Sequence, residues 1–248
     1  MLKINNLSFN VDNEGSEKEI IRNINLEIPD GKLFVVTGPN GGGKSTLAKL
    51  IAGIEKPSEG QIIFNGTDIT NMSITERAKL GIGFAFQQPV KFKGIRVIDL
   101  IQLAAGKKLS PVEACDYLSS VGLCAREYLN REVNGSLSGG ELKRIEIAGV
   151  LARKSLLTVF DEPEAGIDLW SFGNLIDVFQ QQRNEINNRA IMIISHQERI
   201  LNIADEIIVL TNGAIAAQGS RETVLPTLMG TSSAIKDCRG AAQGVDCK

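Results

Sequence analysis

The fold of this chain is decided by one stretch, Gly38-Pro39-Asn40-Gly41-Gly42-Gly43-Lys44-Ser45-Thr46, which fits the phosphate-binding pattern G-x-x-x-x-G-K-[ST]. Glycines let the backbone curl so that several N–H groups converge on phosphate oxygens. Lys44 supplies a compact positive charge for the β- and γ-phosphates, and the Ser45 hydroxyl suits Mg²⁺. The stretch therefore predicts a loop that binds nucleotide phosphates.

The residues on either side of this loop agree with that interpretation. Leu33-Phe34-Val35-Val36-Thr37 is typical of a buried strand, and residues 46–52 have a helical pattern that ends at Gly53. The start of such a helix directs its partial positive charge at the phosphates. The alternative is a glycine-rich turn that only mimics the motif, and the flanking strand and helix disfavour it.

Composition limits the classes of protein that this chain can belong to. Its 248 residues suffice for one large domain or two small ones, and a net charge of -2 gives no overall attraction to nucleic acid or anionic lipid. No apolar run approaches the ~20 residues of a membrane span, and no signal peptide is visible. The four cysteines are too few for a disulfide scaffold, so we expect a cytoplasmic protein. If it works at a membrane, another subunit brings it there.

Hydrophobic periodicity predicts an α/β fold. Residues 2–9 and 24–28 alternate as strands do, with a polar loop expected over residues 12–18. A short strand is expected at 61–64, followed by a helix that opens with the capping box Ser73-Ile74-Thr75-Glu76. Beyond Arg153, strands at 156–160, 190–194 and 206–210 alternate with helices, which indicates a largely parallel sheet.

The segment between these two parts is helical. Ser110-Pro111-Val112-Glu113 combines three signals of a helix start: serine at the N-cap, proline at N1 and glutamate at N3. We therefore expect a P-loop core with a mixed or largely parallel sheet, an antiparallel β subdomain and an inserted helical subdomain over about residues 88–137. One domain would span residues 1–230, and the small, polar residues 231–248 would form a flexible tail.

Two carboxylates follow the apolar run Leu157-Thr158-Val159-Phe160. Ligands of parallel sheets bind at the carboxyl ends of the strands, which is where Asp161 and Glu162 lie. Asp161 can hold a metal ion, and Glu162, on the other side of the strand, can polarise water. The alternative is a surface acidic pair without a catalytic role.

A second candidate anion site begins at Ser138. This serine can cap a helix that runs to about Arg153, with Glu141 completing a capping box. The N–H groups of Gly139 and Gly140, together with Ser138, can bind an anion at the helix start. The alternative is simply a well-capped helix.

Taken in order, the P-loop, Leu137-Ser138-Gly139-Gly140-Glu141 and the Asp161-Glu162 pair resemble the ATP-binding-cassette (ABC) ATPases over about residues 1–225. The resemblance implies ATP and Mg²⁺ as cofactors and a head-to-tail dimer, in which each ATP lies between one P-loop and the partner's Ser138-Gly139-Gly140. It also implies roles for single residues: metal contact for Ser45, Gln87 and Asp161, catalysis for Lys44, Gln87, Glu162 and His196, a D-loop over Ala165-Gly166-Ile167-Asp168, and an adenine contact at Val11. His196 is the chain's single histidine.

Several stretches resemble the SufC branch, the ATPases of iron–sulfur cluster assembly. They are Gly83-Phe84-Ala85-Phe86-Gln87-Gln88-Pro89-Val90 and the Lys143-Arg144-Ile145-Glu146 ending of the signature helix. Aliphatic Val11, where many transporter ATPases have an aromatic residue, fits as well. A SufB-like scaffold is the partner that this resemblance implies. Glu162-Pro163-Glu164-Ala165, in contrast, contains a proline typical of transporter ATPases.

Two alternatives differ in their partners. The chain can be the energising subunit of an importer, with a membrane permease as partner. It can also be a cassette protein that acts on nucleic acid or ribosomes, but no heptad run or basic patch supports direct nucleic-acid binding. Cys238 and Cys247 lack the spacing of a compact metal motif, and Cys115 and Cys124 suit ordinary thiols in or near helices.

Overall fold

The computed structural model describes residues 1–13, 16–185, 188–228 and Gly230. The predicted flexible tail over residues 231–248, which contains Cys238 and Cys247, lies outside the described residues. None of the helices in the described ranges is long and apolar enough to cross a membrane.

Strands and helices follow one another in the order expected of an α/β protein with a helical insertion. The strands are β1 (Leu2–Asn13), β2 (Ser16–Ile28), β3 (Leu33–Thr37), β4 (Glu59–Phe64), β5 (Thr67–Asp68), β6 (Ile82–Ala85), β7 (Leu157–Asp161), β8 (Ala190–Ile194), β9 (Glu206–Thr211) and β10 (Ala214–Ser220). The helices are α1 (Lys44–Ala52), α2 (Ile74–Lys79), α3 (Val97–Ala105), α4 (Pro111–Ser120), α5 (Ala125–Tyr128), α6 (Gly139–Ala152), α7 (Leu169–Glu185) and α8 (Glu198–Leu201).

The strands form two sheets. An antiparallel sheet has the order β2-β1-β4-β5, and a six-stranded sheet has the order β10-β9-β3-β8-β7-β6. In the larger sheet every neighbouring pair from β9 to β6 is parallel, while β10 pairs antiparallel with β9. The carboxyl ends of β3, β6, β7 and β8 therefore meet at one edge, where a parallel sheet binds its ligands.

The buried strands explain the continuous apolar runs of the sequence. Along β3, Leu33 and Val35 pack on the side of the helical segment, whereas Phe34 and Val36 pack on the side of α1. All five residues of β3 are buried. Successive side chains of a strand point to opposite faces of the sheet. A central strand that is covered on both faces therefore needs apolar side chains at successive positions.

One loop prediction was wrong. Residues 12–18 were expected to form a polar loop, but β1 and β2 continue as a ladder in which Asp12 pairs with Glu17 and Asn13 with Ser16. Polar residues are compatible with this end of the hairpin, since Glu17 and Lys18 are exposed and need no apolar partner. Main-chain pairing with the neighbouring strand outweighs the loop-like composition.

Within the helical segment between β6 and β7, helix α4 starts where its signals predicted. Ser110 caps α4 with a reciprocal capping box to Glu113, and Pro111 occupies the first turn. Leu118 and Leu142, on α4 and α6, belong to one buried cluster with residues of the larger sheet. This packing fixes α6, and with it the Ser138 region, relative to the strand ends.

The carboxyl end of α1 is held by a buried arginine that the sequence did not reveal. The Arg77 guanidinium donates to the carbonyls of Leu50, Ile51, Thr70 and Met72 at 2.5–3.1 Å. Terminal carbonyls of a helix have no partner within the helix. Arg77 supplies those partners and so anchors the helix that follows the P-loop.

Candidate active site

The P-loop lies between β3 and α1 with its lysine folded over it. The Lys44 ammonium donates to the carbonyl oxygens of Gly38 and Pro39, both at 2.9 Å. Gly38 has a φ of 132°, and a Cβ added there would come within 2.0 Å of the Leu210 carbonyl oxygen at the end of β9. Only glycine fits this approach, so the first residue of the motif is dictated by packing as well as by phosphate chemistry.

Two carboxylates lie near Lys44. Burial lowers the pKa of Lys44, and the nearby carboxylates of Glu162 and Asp161 partly offset this effect. Burial likewise raises the pKa of Asp161, while its hydrogen bond with Ser45 opposes the rise. The sheet therefore gathers one cation and two carboxyl groups around the loop at the ends of β3 and β7.

Ser45 and Asp161 lie together as the candidate metal ligands. The Ser45 hydroxyl donates to Asp161 Oδ1 at 3.0 Å, across 116 residues of sequence. Hydroxyl and carboxylate oxygens are hard donors of the kind that Mg²⁺ prefers, and Mg²⁺ sites commonly use few protein ligands besides phosphate and water. The donor set therefore fits a magnesium ion held jointly with nucleotide phosphates.

Glu162 lies close to two other predicted catalytic residues, Gln87 and His196. Its backbone has a left-handed φ of 45°, and its N–H donates to the Ile194 carbonyl at 3.0 Å. Gln87 Nε2 donates to Glu162 Oε2 at 2.6 Å, and His196 Nε2 lies 4.0 Å from Glu162 Oε1. Burial and the charge of Lys44 lower the pKa of His196, so the imidazole is neutral at pH 7. Gln87, Glu162 and His196 thus converge from three neighbouring strands.

The Ser138 region forms the start of α6. Ser138 Oγ accepts from the Glu141 N–H at 3.2 Å, and the Ser138 N–H donates to Glu141 Oε2 at 2.6 Å, which completes the predicted capping box. Gly140 touches the D-loop, since a Cβ there would come within 2.8 Å of the Gly166 carbonyl oxygen. Among the described residues, no hydrogen bond or ion pair of the same chain joins Ser138, Gly139 or Gly140 to the P-loop.

The remaining two predicted residues lie at the margins of the site. Asp168 Oδ1 accepts from the N–H groups of Trp170 and Ser171 at 3.1 and 2.9 Å, so it caps α7. Val11 lines an open pocket of about 530 Å³ beside α1, together with Phe9 and Thr46. That pocket adjoins the P-loop helix and has room for a nucleobase.

Two sets of contacts next to the site were not predicted from the sequence. Ser195 donates to Glu164 Oε1 at 2.5 Å, and burial raises the pKa of Glu164. Lys143 and Glu146 of α6 hold the main chain just before Gln87. Spacing gave no signal for either contact, because the partners come from separate segments of the chain.

Comparison with known proteins agrees with this geometry. The ABC transporter family profile matches residues 21–165. The chain is 36% identical over 215 residues to the uncharacterised ABC transporter ATP-binding protein MJ0035 of Methanocaldococcus jannaschii, covering 84% of this chain and 85% of that protein. It is 34% identical over 217 residues to the sulfate/thiosulfate import ATP-binding protein CysA of Synechocystis sp., covering 87% of this chain and 60% of CysA.

The fold has a counterpart among solved structures. The dimeric bacterial ABC transporter cassette MJ0796 superposes with a TM-score of 0.81 at 23% identity, over 89% of this chain and 99% of that one. The chain belongs to the ABC transporter family and has the cassette fold. It is an ATP-binding cassette ATPase, and the predicted α/β fold with its P-loop core is confirmed.

Proposed function

We propose that the chain is the ATP-hydrolysing subunit of a SufBC-type iron–sulfur cluster assembly complex, in which ATP-dependent dimerisation drives a conformational change of a scaffold partner. The observation that carries the catalytic part is the convergence of Gln87, Glu162 and His196 beside the P-loop. Support for the assembly role comes from the stretches around Gln87 and after Ser138, which resemble the SufC branch.

In the proposed reaction, the P-loop N–H groups and Lys44 hold the phosphates. Lys44 exchanges its bonds to the loop carbonyls for bonds to the β- and γ-phosphates, which costs little because one set of charged hydrogen bonds replaces another. Ser45, Gln87 and Asp161 would hold Mg²⁺, which supplies charge neutralisation for phosphoryl transfer when bound. The Gln87 amide bonds Glu162, the residue that directly follows Asp161.

Glu162 orients or deprotonates the attacking water in this proposal. Its carboxylate is 26% exposed, so water can reach it, and the Gln87 amide fixes one oxygen while the other remains available. His196 braces the γ-phosphate through an N–H donor. Phosphoryl transfer needs mainly positioning and charge stabilisation, and these groups provide both.

The proposed dimer explains why no hydrogen bond or ion pair joins the Ser138 region to the P-loop of the same chain among the described residues. Ser138 and the first-turn N–H groups of α6 are exposed at a helix start, where a phosphate is stabilised. A second copy, arranged head to tail, would bring this site to the γ-phosphate held by the P-loop. Closure on ATP and opening after hydrolysis would then be a shift between two populations. In the same complex, the adenine would lie in the pocket of Val11 and Phe9.

A partner-binding surface is proposed on the helical segment next to Gln87. An apolar groove of about 270 Å³ is lined by Phe84, Val90, Phe92, Leu142 and Val150, among others. Val90 and Phe92 are 47% and 36% exposed and lie together in this groove, and contiguous exposed apolar residues mark interaction sites. Because Phe84 and Val90 of the groove flank Gln87, three residues away on either side, a partner seated there would sense the nucleotide.

The importer subunit remains the second candidate. One relative, CysA, carries import in its name, and Pro163 fits the pattern of transporter ATPases. The cluster-assembly ATPase and the importer subunit would use the same catalytic residues, so the identity of the partner protein distinguishes the two functions.

The deciding experiment is affinity capture of the tagged chain from detergent-treated native extract, followed by mass spectrometry. A water-soluble scaffold that raises the ATPase rate supports cluster assembly, whereas a multi-span membrane protein as the sole partner establishes the importer. Lys91→Glu and Lys93→Glu, which reverse exposed charges beside the groove, should weaken capture and leave hydrolysis without partner unchanged. Lys3→Glu, exposed on β1, is the matched control and should alter neither.

A further inference from the structure

Lys143 is a buried cation outside the set of catalytic residues. Its side chain is 0% exposed, although it lies in the second turn of α6. Nζ donates to the carbonyl oxygen of Phe86, to that of Gln87 at 3.4 Å and to Glu146 Oε2 at 3.4 Å. The ammonium is therefore directed at the segment that leads out of β6.

Glu146 completes the arrangement from the next turn of the helix. Its Oε1 accepts from the Phe86 N–H at 2.9 Å, while Oε2 pairs with Lys143. Both polar groups of Phe86, its N–H and its C=O, are thus held by two side chains three residues apart on one helix. Because β6 ends at Ala85, the main-chain N–H and C=O of Phe86 bond these side chains rather than a neighbouring strand.

Stability alone does not account for such a pair. Burial lowers the pKa of Lys143 and raises that of Glu146, because the charged form of each group loses hydration. Buried ion pairs can often be replaced by apolar residues without loss of stability. What an apolar pair cannot do is hydrogen-bond the main chain of Phe86 and fix its orientation.

We propose that Lys143 and Glu146 are positioning residues that act through Gln87. By holding Phe86 on both sides they direct the Gln87 amide at Glu162, 2.6 Å away. Ser138 caps the start of the same helix, so the pair also ties the proposed trans phosphate site to Gln87 of the catalytic cluster. This inference rests on the proposed role of Gln87 in hydrolysis.

The test is a double-mutant cycle in the full chain, with single-turnover ATP hydrolysis, the KM for ATP and thermal unfolding as readouts. Lys143→Met and Glu146→Ala should each lower kcat on the order of 10- to 100-fold, since small misplacements of catalytic groups have effects of this size. The KM for ATP should change less than about twofold, because the P-loop is untouched. Glu146→Gln keeps an oxygen for the Phe86 N–H and should restore most of the rate. Lys79→Met, on the exposed end of α2, is the matched control.

The decisive measurement uses the Gln87→Ala background. If the pair acts through Gln87, Lys143→Met and Glu146→Ala should cause no further loss there. A full additional loss in that background overturns the inference while leaving the role of Gln87 intact. If Gln87→Ala itself hydrolyses ATP at the normal rate, the proposed role of Gln87 fails, and this inference fails with it. Should Lys143→Met not fold, the comparison of Glu146→Ala with Glu146→Gln decides.

Discussion

Replacing Glu162 by glutamine tests the proposed catalytic base with little change of shape. The variant amide oxygen can still accept the hydrogen bond that Gln87 Nε2 donates at 2.6 Å, so the side chain should keep its orientation. What the variant loses is the negative charge of the carboxylate, which orients or deprotonates the attacking water. General-base steps contribute ~10²–10⁴ in rate, which corresponds to about 3–5 kcal/mol of activation free energy.

Nucleotide binding should respond differently from hydrolysis. The carboxylate of Glu162 lies near Lys44, whose pKa it raises, and it also repels the triphosphate that Lys44 attracts. Removing the charge takes one attractive carboxylate away from Lys44 and also removes the repulsion between Glu162 and the triphosphate. The carboxylate of Asp161 still lies near the lysine. We expect ATP affinity to stay close to that of the unaltered chain, with ATP-bound dimers accumulating.

Rapid-quench single-turnover hydrolysis measures the chemical step, calorimetry measures binding, and light scattering with Mg-ATP measures the dimer. Glu59→Gln, on the exposed start of β4, serves as the control for loss of one carboxylate. A rate reduced less than about tenfold in the Glu162→Gln variant would refute the assignment, because general-base steps typically contribute ~10²–10⁴ in rate.

Three further predictions address the dimer, the base pocket and the stability of the P-loop helix. Ser138→Arg places a bulky cation at the start of α6, so ATP binding should survive while light scattering shows no ATP-dependent dimer; a normal dimer would contradict the trans site. Val11→Tyr adds an aromatic face to the 530 Å³ pocket and should tighten ATP binding by ~1 kcal/mol in calorimetry, and unchanged affinity would mean that adenine lies elsewhere. Arg77→Met removes the donors to four carbonyls, two of them buried and two partly buried, and should lower the free energy of unfolding in urea by about 3–5 kcal/mol, whereas a loss under about 1 kcal/mol would show that those carbonyls find other partners.

Signals that depend on neighbouring residues could be predicted from the sequence. The capping boxes at Ser73, Ser110 and Ser138 all form, because each joins groups only three residues apart. The strand before the P-loop has the expected bounds, and α1 ends at Ala52 as expected because Gly53 terminates it in a left-handed conformation, although α1 begins at Lys44, two residues earlier than expected. Strand β10 was not predicted, because its small residues, partly buried or exposed, lack an alternating apolar pattern.

Contacts between distant segments could not be derived in this way. Nothing in the local pattern around Arg77 indicates that its guanidinium reaches back to the end of α1, 26 residues earlier. The same holds for Lys143, whose partner Phe86 is 57 residues away. Long polar side chains are ordinarily exposed on helices, and only the surrounding packing turns these two inward.

The sequence by itself determined the chemical groups of this protein: a glycine-rich loop with its lysine, two carboxylates after an apolar strand, and a capped helix with two leading glycines. Their convergence was decided by the tertiary structure alone. Gln87 and Glu162, 75 residues apart, meet because β6, β7 and β8 are parallel neighbours, so their carboxyl ends share one edge of the sheet. That order depends on main-chain hydrogen bonds and burial between remote segments, which no local pattern of residues encodes.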